Sequence, residues 1–425
     1  MTERNWAGNL AYGARRFARP DTVDGLAELV AATARDGTRV RALGSRHSFN
    51  RIADTEGLAI ETGGLPVTVD VDETARAVRV SAGLRYGELA EVLDRHGWAL
   101  ANLASLPHIS VAGAVATGTH GSGDRLGSLA AAVAAIELVT ADGSTLALRR
   151  GDPDFDGAVV ALGALGIVTA LELDIEPTYD VAQTVFERLP LDAVLADLDA
   201  VTGLAASTSL FTTWRDPDVI DQLWLKRRTD AAASDALPAA LAAMGAGPAT
   251  VKRHPLPDVS AEHCTEQLGL PGSWFERLPH FKLAFTPSNG DELQSEFLVP
   301  RTRAAEALRV VRSLASSIAP LLQVCEIRTV AADTLWLSPA YGHDAVGIHF
   351  TWLPDQPAVE ALLPRLQAAL APFDARPHWG KLFDPADAVE RMPQLYPRWH
   401  DFAGLRARLD PNGVFRNGFL ERLGL

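Results

Sequence analysis

Two residue periodicities interleave along the first 177 residues, and a domain built from one kind of element could satisfy only one of them. In "DTVDGLAELVAATARDG", residues 21–37, Val23, Leu26, Leu29 and Val30 fall on one stripe of a 3.6-residue helix, with Asp21 or Thr22 as its cap and Gly37 as its stop. "TRVRAL" then reads as a short strand ending at Gly44. In "LPVTVDVDETARAVRVSAG", Val67, Val69 and Val71 alternate before an acidic turn and Val78 and Val80 after it, which is a hairpin pattern. "YGELAEVLDRHGW" predicts a second amphipathic helix, closed by Gly97. "AIELVTADGSTLAL" and "ALGIVTALELDIEP" predict further strands, the first turning at Asp142-Gly143. Helices mixed among short strands and hairpins give an α+β class.

The pattern changes near Pro177. From 178 to 380 come longer loops, the alanine-rich "AAASDALPAALAAMGAGPA", and the alternating segments "HFKLAFTP", "QVCEIRTV" and "AVGIHFTWL", which predict one antiparallel sheet with helices on one face. The closing "LDPNGVFRNGFLERLGL" is too short for a domain and is expected to pack back on the N-terminal unit. The expected division is therefore 1–177, 178–380 and 381–425. A chain of 425 residues is also longer than one hydrophobic core usually spans.

Composition narrows the partners. Asp plus Glu outnumber Lys plus Arg by 53 to 39, a net charge of −14, which disfavours a nucleic-acid backbone or an anionic membrane and suits a neutral, polyol-like substrate. Two cysteines, Cys264 and Cys325, provide neither a disulfide framework nor a thiolate metal cluster, and no metal is expected. Arg15-Arg16 lacks the apolar run of an export signal, and no uncharged stretch reaches the ~20 residues of a membrane span. A cytoplasmic monomer is expected.

Three stretches carry candidate chemistry. "ISVAGAVATGTHGSG" sets Gly113, Gly118, Gly121 and Gly123 among Ser110, Thr117, Thr119 and His120, a backbone that can approach a ligand closely and offer N–H groups to a pyrophosphate. Its spacing is not that of a Rossmann fingerprint, and by itself it reads equally well as a structural loop. Glu326 and Arg328, two apart on a strand, share a face, as do His349 and Thr351 on another. The usual outcome of such a pair is a solvated ion pair; two strands with polar groups on alternate positions could instead line a pocket. Lys381 in "RPHWGKLF" reads by composition as a surface charge, and His47 in "GSRHSFN" as a polar loop residue. The chain has no G-x-S-x-G elbow, H-E-x-x-H helix or P-loop.

Taken in order, "GSRHSFN", "SLPHISVAGAVATGTHGSG", "EIRTV", "GIHFTW", "RPHWGKLF" and "DPNGVFRN" resemble the aldonolactone and alditol oxidase branch of the vanillyl-alcohol-oxidase flavoproteins, over nearly the whole chain and most closely its bacterial alditol oxidases. The resemblance implies a two-part FAD-binding domain of the vanillyl-alcohol-oxidase (PCMH) type, from the N-terminal segment and the C-terminal tail, with a cap domain between them. It implies FAD attached covalently through His47 to the 8α-methyl carbon, the neutral imidazole nitrogen acting as nucleophile. Relatives with a second, cysteinyl link carry a cysteine in the region of "ANLASLPHIS"; this chain has none there, so a single histidyl link is expected.

Family matching places Gly44, Ser45, Arg46, Ser48, Ala104, Ser105, Ser110, Gly113, Thr117, Gly118, Thr119, His120 and Ile167 at the cofactor. Ala104 would lie where dioxygen reacts, a small side chain suited to an oxidase. Ser105, Glu326, Arg328, His349, Thr351 and Lys381 would line the substrate pocket. Arg328 and Lys381 would stabilise a developing alkoxide, His349 would accept the proton, and Glu326 and Thr351 would bind further hydroxyls. The implied reaction oxidises a terminal CH2OH of xylitol or sorbitol to the aldehyde and reduces O2 to H2O2. The alternatives are an oxidase of gulono- or galactonolactones and a flavin-binding protein without turnover.

Overall fold

The computed structural model describes residues 3–231, 241–285 and 291–425. The first predicted helix forms over Val23–Arg35, where Thr22 accepts from the Gly25 N–H and Gly37 turns the chain at φ +67°. Leu26 and Val30 are buried, but Val23, the first helical residue, is 37% exposed. This helix covers a parallel three-stranded sheet in which Leu58–Glu61 lies between Arg16–Ala18 and Val40–Leu43. The predicted hairpin, Val69–Asp72 with Ala77–Ser81, joins Ile167–Asp174, Val133–Val139 and Thr145–Arg149 in an antiparallel five-stranded sheet. Val67 falls outside that hairpin and is exposed.

The second half builds one nine-stranded antiparallel sheet. Its centre runs Asp180–Pro190, Val219–Arg228, Ser207–Thr212, Leu322–Val330, Ala345–Trp352 and Leu293–Pro300. Ile327, Ile348 and Phe350 on one face share a buried cluster with Leu308, Val311, Leu363 and Leu366 of the helices Ala304–Ser313 and Gln356–Leu370. The other face carries the polar residues and turns toward the N-terminal sheets. The architecture is therefore α+β with a sheet-rich second domain.

"HFKLAFTP" is not a strand. Only Phe281 bridges, to Cys264, and residues 286–290 lie outside the described residues. Its alternation has another cause. His280 N–H donates to Ser105 O (3.1 Å), Lys282 N–H to His263 O (3.0 Å), and Leu283 O accepts from His108 Nε2 (2.8 Å), so the segment's backbone bonds to loops on both units instead of to a ladder. Residues 232–240 of the alanine-rich stretch also lie outside the described residues.

The closing residues pack on the N-terminal sheets. Val40 N–H donates to Val414 O (2.8 Å), Asn417 Nδ2 reaches Asp54 O (2.8 Å), and Val414 and Phe415 join Val40, Leu58 and Ile60 in one core cluster. No helix among the described residues is long and apolar enough to cross a membrane.

Candidate active site

Strand register assembles the polar side chains. Phe211, Glu326, His349 and Glu296 stand opposite one another across four neighbouring strands, and because the side-chain period is two, they share a face. The next row holds Arg328 opposite Gly347; the row on the other side holds Val324, Thr351 and Gln294. All of these except Gly347 line a cavity of about 560 Å³ between the sheet and the N-terminal unit, together with Ser105 and Lys381. The pair Glu326 and Arg328 is thus not a solvated one: the residues are 4% and 5% exposed, and Arg328 Nε lies 3.6 Å from Glu326 Oε2.

Arg328 bridges two carboxylates. It donates to Glu296 Oε1 (2.9 Å) and Ser105 Oγ (3.3 Å) while facing Glu326. Lys381 Nζ donates to Glu296 Oε2 at 2.6 Å, and His120 Nε2 lies 3.2 Å from Glu296 Oε1. Burial alone would favour the protonated acid at Glu296, but Lys381, Arg328 and His120 outweigh it and hold the carboxyl well below its usual range. Glu326 behaves alike: burial opposes ionisation, and Arg328 followed by His280 draws its carboxyl far down. His349 is the opposite case. Burial first, then the Lys381 charge, keeps its imidazole neutral, and neither ring nitrogen has a hydrogen-bond partner.

Gly347 lets the arginine cross to Glu296. A Cβ at this position would lie 3.0 Å from Glu296 Oε1 and 3.3 Å from His120 Cε1. Gly347→Ala is therefore expected to displace the carboxylate and lower kcat/KM about tenfold, corresponding to the ~1–1.5 kcal/mol of one weakened charge-assisted bond, in a protein that still folds. Steady-state kinetics with a thermal melt checks it; an unchanged kcat/KM contradicts the role given to Gly347.

The opposite wall is built from the loop after Val40–Leu43 and the short helix Val111–Ala116. Ser45 and Ser110 clasp each other, Ser45 N–H to Ser110 Oγ (3.3 Å) and Ser110 N–H to Ser45 Oγ (3.1 Å). Gly44 permits this, since a Cβ there would meet Ser110 Oγ at 2.3 Å. His47 lines the cavity with its ring stacked on Trp6, centroids 4.5 Å apart; its buried Nδ1 has no partner, and burial pushes its pKa down to about 4. The same loop is tied to the lysine. Phe49 N–H donates to Gly380 O (2.8 Å), and Asn50 Nδ2 donates to Trp379 O (2.8 Å) and Lys381 O (2.7 Å).

Most residues singled out by sequence meet at this cavity: Gly44, Ser45, Arg46, His47, Ser48, Ala104, Ser105, Ser110, Gly113, Thr117, Thr119, His120, Glu326, Arg328, His349, Thr351 and Lys381 all line it. Two do not. Gly118, at φ +65°, turns the chain against Pro339, and the Ile167 side chain is fully buried in the cluster with Val139 and Phe415, while its neighbours Gly166 and Val168 face the cavity. Arg46 lines the cavity, but its guanidinium is held by Glu3 and by Glu61 at 2.5 Å. Sequence reading missed Glu296, Gln294, His280, His378 and Trp6, all of which line the cavity. Glu296 and Gln294 alternate in "LQSEFLVP" by the rule that singled out Glu326 and Arg328. Trp6 carries no local signal.

Comparisons with known proteins agree with this geometry. Residues 14–149 match the family model described as FAD binding domain, and residues 288–423 that of D-arabinono-1,4-lactone oxidase. An alditol oxidase of a Streptomyces species is 52% identical over 99% of this chain and 98% of its own length. An L-gulono-1,4-lactone dehydrogenase of Mycobacterium tuberculosis is 30% identical over 99% of this chain and 98% of its own. A crystal structure of cholesterol oxidase from B. sterolicum superposes with a TM-score of 0.78 at 14% identity, covering 99% of this chain and 96% of the other, which speaks for the fold alone.

The fold and the cavity define an FAD-dependent oxidoreductase. Within that class, the chain belongs to the aldonolactone and alditol oxidase branch of the vanillyl-alcohol-oxidase flavoproteins. The residues present fit the cofactor. The wall opposite the sheet includes the small residues Gly44, Ser45, Ala104, Ser110, Ala112 and Gly113, and Nδ1 of the buried, neutral His47 ring has no hydrogen-bond partner.

Proposed function

We propose that the protein oxidises the terminal primary hydroxyl of a polyol such as xylitol or sorbitol to the aldehyde, with O2 reduced to H2O2. The observation that carries this reading is the array of Glu326, Arg328, His349, Thr351, Glu296 and Lys381 in one buried cavity, joined to the 52% identity with an alditol oxidase. An apolar alcohol would leave these groups desolvated and unpaired, whereas successive hydroxyls can satisfy them. Bound FAD supplies the hydride acceptor and the reaction with oxygen. The chain's own residues bind the alcohol, hold its oxygen and take its proton. Lys381 commits one N–H to Glu296 and has two more to offer; with Arg328 it stabilises negative charge developing on the hydroxyl oxygen. His349, neutral with both nitrogens unpartnered, is the acceptor for the hydroxyl proton. Glu326 and Thr351 take hydroxyls farther along the substrate, and Ser105, bonded to Arg328, closes the pocket on the cofactor side.

His47 is the residue to which the flavin would be joined, and Ser45, Ser48, Ser110, Gly113, Thr117, Thr119 and His120 would hold it, with the small Ala104 leaving room for dioxygen. Sheet membership supports a cofactor-binding unit of 1–177 with 381–425 and a cap of 178–380. Both cysteines are free and buried, in keeping with a reducing cytoplasm.

A lactone substrate is the second reading, favoured by the match of residues 288–423 to a lactone oxidase model. Peroxide release from a panel of polyols and aldonolactones decides between them. Xylitol and sorbitol are expected to react; turnover of lactones alone overturns the polyol assignment. Failure of every polyol and lactone to bleach the flavin without oxygen would leave only a non-catalytic binding protein.

A further inference from the structure

Glu326 is reached from a second side, by groups that stand behind the cavity wall. Lys226 lies on the cavity-facing side of the Val219–Arg228 strand, opposite Gln183 and Ser207 on the neighbouring strands, and is 2% exposed. Its Nζ donates to Leu278 O, to Pro279 O at 3.4 Å and to His280 Nδ1 at 3.0 Å. These three acceptors account for the three hydrogens of an ammonium, although burial pushes the Lys226 pKa down to about 7. His280 Nε2 lies 2.8 Å from Glu326 Oε1, and its ring is packed edge-on against Phe211 (5.5 Å) and Trp224 (5.2 Å). Burial pushes the imidazole down to about 4, so it carries one proton, and which nitrogen holds it matters. A proton on Nδ1 would face the lysine hydrogens and turn the Nε2 lone pair onto a carboxylate. A proton on Nε2 satisfies both ends.

We propose that Lys226 is a positioning residue for polyol recognition: by donating to His280 Nδ1 it fixes the ring proton on Nε2, which engages Glu326 Oε1 and leaves Oε2 to accept a substrate hydroxyl. The assignment rests on the polyol reading above. Oε2 is available for that role, since its other neighbours, Arg328 Nε at 3.6 Å and His349 Nδ1 at 3.9 Å, stand beyond hydrogen-bond distance. Besides Glu326, the groups that act on Lys226 are the Arg328 guanidinium, whose charge opposes the ammonium, and the Cys264 thiol, which burial keeps protonated.

The test is a double-substitution cycle on the holoenzyme. Lys226→Met frees His280 to hold its proton on either nitrogen and is expected to raise KM for xylitol about tenfold, the size of one buried hydrogen bond to a charged group, with kcat falling less than KM rises. His280→Gln offers Glu326 an amide N–H that needs no lysine behind it, so K226M added to H280Q is expected to change KM by less than about twofold. A wild-type KM in K226M, or the same KM penalty in both backgrounds as a purely structural lysine would give, overturns the assignment. Should K226M yield no folded holoenzyme, Lys226→Gln, too short to reach Nδ1, goes through the same cycle with the same two outcomes. The wild-type rate separates the two readings. Absence of peroxide from wild type with every polyol overturns the polyol reading and this one with it, whereas an active wild type with unaltered variants overturns only the role of Lys226.

Discussion

Arg328→Met lowers kcat/KM for the polyol by about 10³-fold while the flavin content of the purified protein stays at the wild-type level; that is the expected result of removing a cation that lies between Glu296 and Glu326. Glu296 would keep Lys381 and His120, but Glu326 would keep only the hydrogen bond from His280. Breaking a buried ion network by deleting one partner costs about 3–5 kcal/mol, and each 1.36 kcal/mol is a factor of ten in rate. Methionine fills much of the same volume, so the loss reports charge and hydrogen bonding more than packing. Arg328→Lys restores the charge without the planar fork that reaches Glu296, Ser105 and Glu326 together, and recovers only part of the activity. Peroxide release and the ratio of flavin to protein absorbance measure both quantities. A loss of less than tenfold in R328M would remove Arg328 from the chemistry.

His47→Ala abolishes acid-stable flavin altogether. Wild-type protein precipitated in acid is expected to keep its yellow colour in the pellet, and the variant to release it into the supernatant. The structure gives the nucleophile three properties it needs: a neutral ring, since burial moves its pKa down to about 4; an unpartnered Nδ1; and an orientation held by the stacked Trp6. The clasp between Ser45 and Ser110 does not involve the imidazole, so it remains in the variant. A yellow pellet from the variant, or a colourless one from wild type, is incompatible with the link.

Alternation on strands was the most informative signal in the sequence. It is enough to pair Glu326 with Arg328 and His349 with Thr351, because backbone geometry alone fixes which residues share a face. It says nothing about which strands are neighbours, so the row that brings Glu296 opposite His349 emerges only with the register. "HFKLAFTP" shows the converse: its alternation is real, but Phe281 and Phe285 face the cavity while Leu283 packs on Gly87 of the other unit. Polarity was also misleading at Lys381 and His47. Each looks like an ordinary surface residue until loops more than 300 positions apart are joined by the hydrogen bonds of Asn50 to Trp379 and Lys381.

Those same bonds make the Lys381–Glu296 pair a latch. The lysine backbone is fixed to the loop that carries His47, and its ammonium to a strand of the large sheet. Parting the two walls would break this 2.6 Å charge-assisted bond and leave Glu296 with Arg328 of its own sheet. The loop that carries His47 and the strand that carries Glu296 are therefore coupled through one side chain, so a displacement of either is felt at both walls of the cavity.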